Sequence, residues 1–201
     1  MDDAVAPVSL RERQKAQTRK MIVDAMVAAI AAGDWAQATH EAIARRIGMS
    51  RQTVYRHFPD QQTLMNAVWA SLNPRFLAEL KLTEADLTEV LPGGYARFEE
   101  NVEIIRVIQT TPQGRAMRMS VKDKRTAGFR RATAAATAGL SEREAIMATA
   151  AIQLLHGGQA WIEMRDQWGL SSQDAAQACI WAIRTLLADL HARKGRPLSE
   201  P

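Results

Sequence analysis

The chain has one cysteine in 201 residues, Cys179, so neither an intrachain disulfide nor a cysteine-rich zinc site can form. A reducing compartment suits such a sequence, and the cytoplasm is the expected location. Histidine is scarce as well. The four residues His40, His57, His156 and His191 show no metal-ligand spacing with one another or with Cys179, so no metal is expected. No G-x-S-x-G nucleophile elbow and no glycine-rich phosphate loop occur, which leaves nothing to support an enzyme or a cofactor. His156-Gly157-Gly158 looks superficially like an oxyanion-hole loop, yet it sits inside a helical pattern and reads as a close helix contact or a kink. Alternating strand patterns and Asn-Gly hairpin turns are also missing. The N-terminus carries Asp2 and Asp3 and no apolar core before Arg11, unlike a secretory signal. One run, 145–162, lacks Asp, Glu, Lys and Arg, but Gln153, His156, Gly157, Gly158 and Gln159 would be costly in lipid. A buried interface helix is therefore expected there, and no membrane partner.

What is present fits a globular, all-α chain. Apolar residues make up 47% and charged residues 24%, and the length admits two domains. The net charge of +4 decides little by itself. Its distribution says more, because Arg11, Arg13, Lys15, Arg19 and Lys20 cluster at the start of the first helical pattern. They form a plausible footprint for a phosphate backbone, or else a solvated helical face.

Residues 39–58, THEAIARRIGMSRQTVYRHF, read as two short helices joined by a three-residue turn. Thr39 can cap the first, with Ala42, Ile43 and Ile47 on one stripe, and Gly48 supplies the left-handed backbone that ends it. Ser50 can cap the second, predicted from Arg51 to Phe58, with Val54 and Phe58 facing inward. Its other face carries Arg51, Gln52, Thr53, Tyr55, Arg56 and His57, donors and acceptors suited to base edges and phosphates. This is a helix-turn-helix pattern. A preceding helix from about Leu10 to Ala32, with Ile22, Met26 and Ile30 inward, would buttress it.

The run Thr39, Ile43-Ala44, Gly48, Ser50, Thr53-Val54-Tyr55, Phe58 and Leu64 resembles the DNA-binding domain of TetR-type (tetracycline-repressor-like) transcriptional regulators, over roughly residues 17–70. The resemblance implies that the helix after the turn enters the major groove, with Arg51, Gln52 and Thr53 at base edges. Thr39, Tyr55 and His57 would hold the backbone, with Ser50 and Arg56 completing the candidate surface. Two departures stand out. Gln61 occupies a position where the family often has a phosphate-binding Lys, with Gln62 where Glu is usual, and His40 replaces a commonly apolar residue.

The expected organisation is a flexible tail at 1–9, a helix-turn-helix domain at 10–60, and a helical effector-binding and dimerisation domain at 61–201. In the last, the helix from Gln61 continues through Leu64, Val68, Leu72 and Phe76, with a kink at Pro74. Pro92-Gly93-Gly94 and Thr111-Pro112 bracket a helix from Tyr95 to Thr110, with Phe98, Val102, Ile105 and Ile108 inward. Helices are predicted from Gln113, from Val121 to Ala138, from Ser141 to Gln167, and from Ser172 to Arg193. The last two are long and rich in Ala. The resemblance makes this pair a homodimer interface, with Ala148, Ile152, Leu155, Gln159 and Ile162 on one helix and Ala178, Ala182, Thr185, Leu186 and Asp189 on the other; packing within one chain would explain the same stripes.

For a small-molecule effector, expected to be largely apolar, the candidate lining is Trp69, Phe98, Ile105, Met117, Phe129, Leu155, Trp161, Met164 and Trp168. Core packing accounts equally for these residues. Arg115, Arg118, Lys122 and Arg125 follow helical spacing with only Asp123 opposed. They read as a solvated face or as the seat of an anionic effector. The functional expectation is a homodimeric repressor that binds a palindromic double-stranded operator and is released by its effector. The alternative is an effector-independent or architectural DNA-binding protein of the same fold.

Overall fold

The structure, a computed structural model, describes residues 9–35, 38–72 and 81–200. The tail before Ser9, the Pro74 kink and Phe76 lie outside these residues. The chain divides into two compact units, 1–74 and 75–201, and every element among the described residues is helical.

The first unit holds α1 (Leu10–Ala31), α2 (His40–Arg46), α3 (Arg51–His57) and α4 (Gln61–Leu72). Ser9 starts α1 through a capping box: its hydroxyl accepts from the Glu12 N–H, and the Glu12 carboxylate accepts from the Ser9 N–H. The first half of α1 is polar and exposed, whereas Ile22, Met26 and Ile30 in its second half are fully buried. Leu64, Met65, Val68 and Trp69 of α4 are buried too, and α4 packs on α1. For that reason α4 belongs to the first unit, although the sequence expectation groups it with the second.

The second unit holds α5 (Asp86–Glu89), α6 (Leu91–Glu100), α7 (Val102–Thr110), α8 (Pro112–Ser120), α9 (Lys122–Ala132), α10 (Glu142–Leu155), α11 (Gly158–Trp168) and α12 (Ser172–Arg193). The bounds of α12 coincide with expectation. Ser171 caps its start, and Gly169 closes α11 with φ 64°, the left-handed angle that glycine takes without strain.

Several helices are shorter than the periodicity predicts. The expected 95–110 helix is two helices, broken at Asn101, and Pro92, Gly93 and Gly94 lie inside the first turns of α6 instead of ahead of it. Proline costs nothing in a first turn because its missing N–H has no intrahelical partner there. The helix expected from Ser141 to Gln167 breaks at His156–Gly157, where Gly157 is extended, with φ −95° and ψ 161°. The helix expected to run to Ala138 ends at Ala132 and passes through turns to Gly139. A break at Val121 separates Arg115 and Arg118 on α8 from Lys122 and Arg125 on α9, so the four do not share one continuous helical face.

The core of this unit is built on α12, whose Ala175, Ala176, Cys179, Ile183, Leu187 and Leu190 are buried, and α6 is the helix packed most extensively against it. Tyr95 of α6 donates its hydroxyl to the Leu155 carbonyl at 2.7 Å and lies 3.3 Å from the Cys179 sulfur. Burial pushes the titration of both Tyr95 and Cys179 up, so phenol and thiol stay neutral.

Candidate nucleic-acid interface

The turn between α2 and α3 is set by local chemistry. The Thr39 hydroxyl accepts from the Ala42 N–H at 3.2 Å, which opens α2, and Gly48 at φ 66° ends it. The Met49 N–H then donates to the Ala44 carbonyl at 2.9 Å. Ser50 accepts from the Thr53 N–H at 3.1 Å, and its hydroxyl lies 2.8 Å from that of Thr53. The Ser50 side chain is thus engaged in holding α3. Val54 and Phe58 are buried, while Arg51, Gln52, Tyr55 and Arg56 are exposed and Thr53 and His57 half-buried. One helix therefore presents a bidentate amide and two guanidinium groups on its exposed face, with the phenol of Tyr55 and the half-buried imidazole of His57 at its edges.

Contacts distant in sequence fix where that face sits. Arg19 of α1 donates from Nη1 to the His57 carbonyl at 2.7 Å, and its guanidinium lies 4.3 Å from the centre of the Phe58 ring. A cation at a helix C-terminus satisfies a free carbonyl and opposes the dipole. Burial, then Arg56, Arg19 and Lys15, pushes the His57 titration down, which places the basic start of α1 beside the end of α3.

Both family departures have structural roles. His40 is buried, donates from Nε2 to the Phe58 carbonyl at 2.9 Å, and stacks on Tyr55 with ring centroids 4.6 Å apart. Gln61 donates to the Ala38 carbonyl at 3.1 Å, so its amide ties α4 to the start of α2. Tyr55 donates its hydroxyl to Glu41 at 3.2 Å. Sequence reasoning placed Arg19 in a basic cluster without its contact to α3, and missed Glu41 and the positive role of His40. Their partners lie 38, 14 and 18 residues away, beyond the reach of local patterns.

The candidate effector residues disperse. Trp69 belongs to the first unit. In the second, Ile105, Met117, Phe129 and Trp161 are core, and Phe98, Leu155 and Met164 are half-buried. Phe98 meets Trp161 edge-on at 5.7 Å, and the Trp161 indole donates to Ser172 at 2.9 Å. Trp168 is 77% exposed. Among the candidate interface residues, Ile152 and Ile162 are buried within the single chain and serve its core. Ala148, Leu155, Gln159, Ala178, Ala182 and Leu186 are half-buried, and Thr185 and Asp189 exposed. The apolar surface lies beside them: Ile146, Met147, Ala150, Ala151 and Leu154 form an exposed stripe on α10. On α12, Trp181 is 73% exposed, and Gln177, Arg184, Thr185 and Ala188 are exposed on the same face.

No group of three His, Cys, Asp or Glu residues is placed to hold a metal ion among the described residues, and no described helix is long and apolar enough to cross a membrane.

A capped helix-turn-helix with a polar recognition face and a basic flank defines the first unit as a DNA-binding head. Its residues 22–68 match the family model described as bacterial regulatory proteins, tetR family, and the chain carries the DNA-binding domain of that family of transcriptional regulators. Solved structures share the fold over most of the chain. A tetR-family transcriptional regulator from Streptomyces coelicolor is similar at 15% identity, covering 88% of this chain and 83% of that one, with a TM-score of 0.64. A transcriptional regulator from Rhodococcus sp. Rha1 is similar at 17% identity, covering 85% and 96%, with a TM-score of 0.61. No match was found among curated proteins.

Proposed function

We propose that the protein is a cytoplasmic, homodimeric repressor that binds a palindromic operator and is released by a small-molecule effector, with no catalytic step. The observation that carries the DNA half of this reading is the exposed face of α3. In it Gln52 and Arg51 reach outward from the capped N-terminal turn, and Tyr55 and His57 flank a basic patch. Arg51, Gln52 and Thr53 are assigned to base edges, and Thr39, Tyr55 and His57 to the backbone.

The dimer is supported by the exposed stripe of α10 and by Trp181 on α12, because large apolar side chains grouped on a surface mark an interface. Two equivalent heads related by a two-fold axis read an inverted repeat. Release by an effector is then a population shift. A ligand that prefers the form with wrongly spaced heads lowers operator affinity by its differential binding.

Titration of a selected operator and a random duplex with Gln52→Ala and Tyr55→Phe tests the assignment. Gln52→Ala is expected to cost about 1–3 kcal/mol on the operator and to relax its sequence preference, whereas Tyr55→Phe weakens both duplexes alike. Equal losses on both duplexes for both variants would contradict it.

A further inference from the structure

In the second unit, the junction of α7, α8, α9 and the break between α10 and α11 gathers Arg118 and Arg125, for which no acidic partner is found among the described residues. Arg118 on α8 donates from Nη1 to the side-chain oxygen of Gln109 on α7. That same amide borders the head of α11, where its Nε2 stands 2.9 Å from the place a Cβ would occupy on Gly158. Gly157 precedes α11 without a capping side chain, so the first N–H groups of the helix have no side-chain acceptor.

On α9, Arg125 has its Nε buried without a hydrogen-bond partner. The His156 ring lies edge-on to Phe129 with centroids 5.3 Å apart, and Phe129 is one turn beyond Arg125. The charged neighbours of the two half-buried guanidinium groups are themselves arginines, Arg115 for Arg118 and Arg118 for Arg125. Burial first, and these like charges second, push both titrations down. Partly desolvated like charges with an unpaired buried nitrogen are unfavourable when the site is empty. An anion placed among them reverses the sign of each interaction.

We propose that this junction binds the anionic group, a carboxylate or phosphate-type oxyanion, of a small molecule. Arg118 and Arg125 hold the charge. The inference rests on the reading of the second unit as an effector domain and names the class of effector.

The test is thermal-shift and calorimetric titration of the full chain with acetate, hexanoate, octanoate and inorganic phosphate, with hexanol and octanol as neutral counterparts. At least one anion is expected to raise the melting temperature saturably while the alcohols do not. Arg118→Gln and Arg125→Gln should each weaken that binding by about ten-fold or more, and Arg130→Gln, exposed on α9, should leave it unchanged. Without ligand, Arg125→Met should raise the melting temperature by about 2–4 °C, because it removes an uncompensated charge. Absence of anion binding, equal binding of an alcohol, binding that survives both Gln variants, or a fall in melting temperature for Arg125→Met would each overturn the proposal. Operator binding by the ligand-free chain is measured in parallel, so failure of the regulator reading appears there, independently of the anion titration.

Discussion

The imidazole of His40 lies flat on the phenol of Tyr55, the two ring planes inclined by 9°, while its Nε2 donates to the backbone carbonyl of Phe58. One buried side chain of α2 thereby fixes both Tyr55, the residue of α3 proposed to contact the DNA backbone, and the residue that ends that helix.

His40→Leu preserves an apolar side chain but leaves the buried Phe58 carbonyl without its donor. The expected cost is about 1–3 kcal/mol of stability, read as a lower urea midpoint. DNA affinity should fall for all sequences together, since Tyr55 loses the ring that orients it. An unchanged midpoint would show that the hydrogen bond contributes nothing.

Glu41 holds the Tyr55 hydroxyl, so a carboxylate stands beside the group proposed to meet the DNA backbone. Glu41→Gln is expected to strengthen binding to operator and random duplex alike, by about two- to five-fold at low salt, with the difference shrinking as salt rises. Weaker binding on both duplexes would mean that the carboxylate positions Tyr55 more than it repels DNA.

Leu154→Glu or Trp181→Arg puts a charge on the exposed apolar surface of α10 or α12. Light scattering coupled to gel filtration should then report a monomer where the parent chain is a dimer, with operator affinity reduced accordingly. A dimer that survives both substitutions would move the interface elsewhere.

Gly114 sits where an added Cβ would come 2.4 Å from the Ile108 carbonyl oxygen and 2.6 Å from the Ile108 Cα. Backbone atoms cannot yield as a flexible side chain can, so Gly114→Ala should destabilise the chain by about 2 kcal/mol or more. At Gly158 the nearest atom is the end of the Gln109 side chain, and Gly158→Ala should cost less. Equal melting temperatures for the two variants would contradict the packing described between α7 and α8.

Burial holds the His156 titration below its ordinary value of 6.5. In the window between the folded value and 6.5, the unfolded chain binds more protons than the folded one. Stability therefore rises with pH across that window and is lost as pH falls below about 6.5. His57 shifts in the same direction, so His156→Gln should reduce this dependence without abolishing it. Urea midpoints measured across the window should show the variant with the flatter profile; identical profiles would place His156 in water when folded.

Much of the fold was legible because its boundaries are written in single residues. Thr39, Ser50, Ser141 and Ser171 all cap helices, and Gly48, Gly139 and Gly169 all take positive φ. The breaks at Asn101 and His156–Gly157 were not legible, since apolar spacing continues across both and proximity to another helix decides where the backbone turns. The inward side of α10 was misread for a related reason. An Ala-rich helix carries apolar residues on two faces, and only packing chooses Ile152 for the core and leaves Ile146, Met147 and Leu154 outside. In the DNA-binding head, the residues facing outward from α3 followed from its short period, whereas Glu41 acts on that face from another helix without a local signal, and the basic cluster holding Arg19 did not show that this residue ends α3.

Selection of bound fragments from random double-stranded DNA is the most direct test of the central claim that α3 reads sequence in a two-fold dimer. The account predicts enrichment of an inverted repeat whose half-sites lie on one face of the duplex, and loss of that enrichment with Gln52→Ala. Enrichment of a single unrepeated site, or none above random, would contradict it.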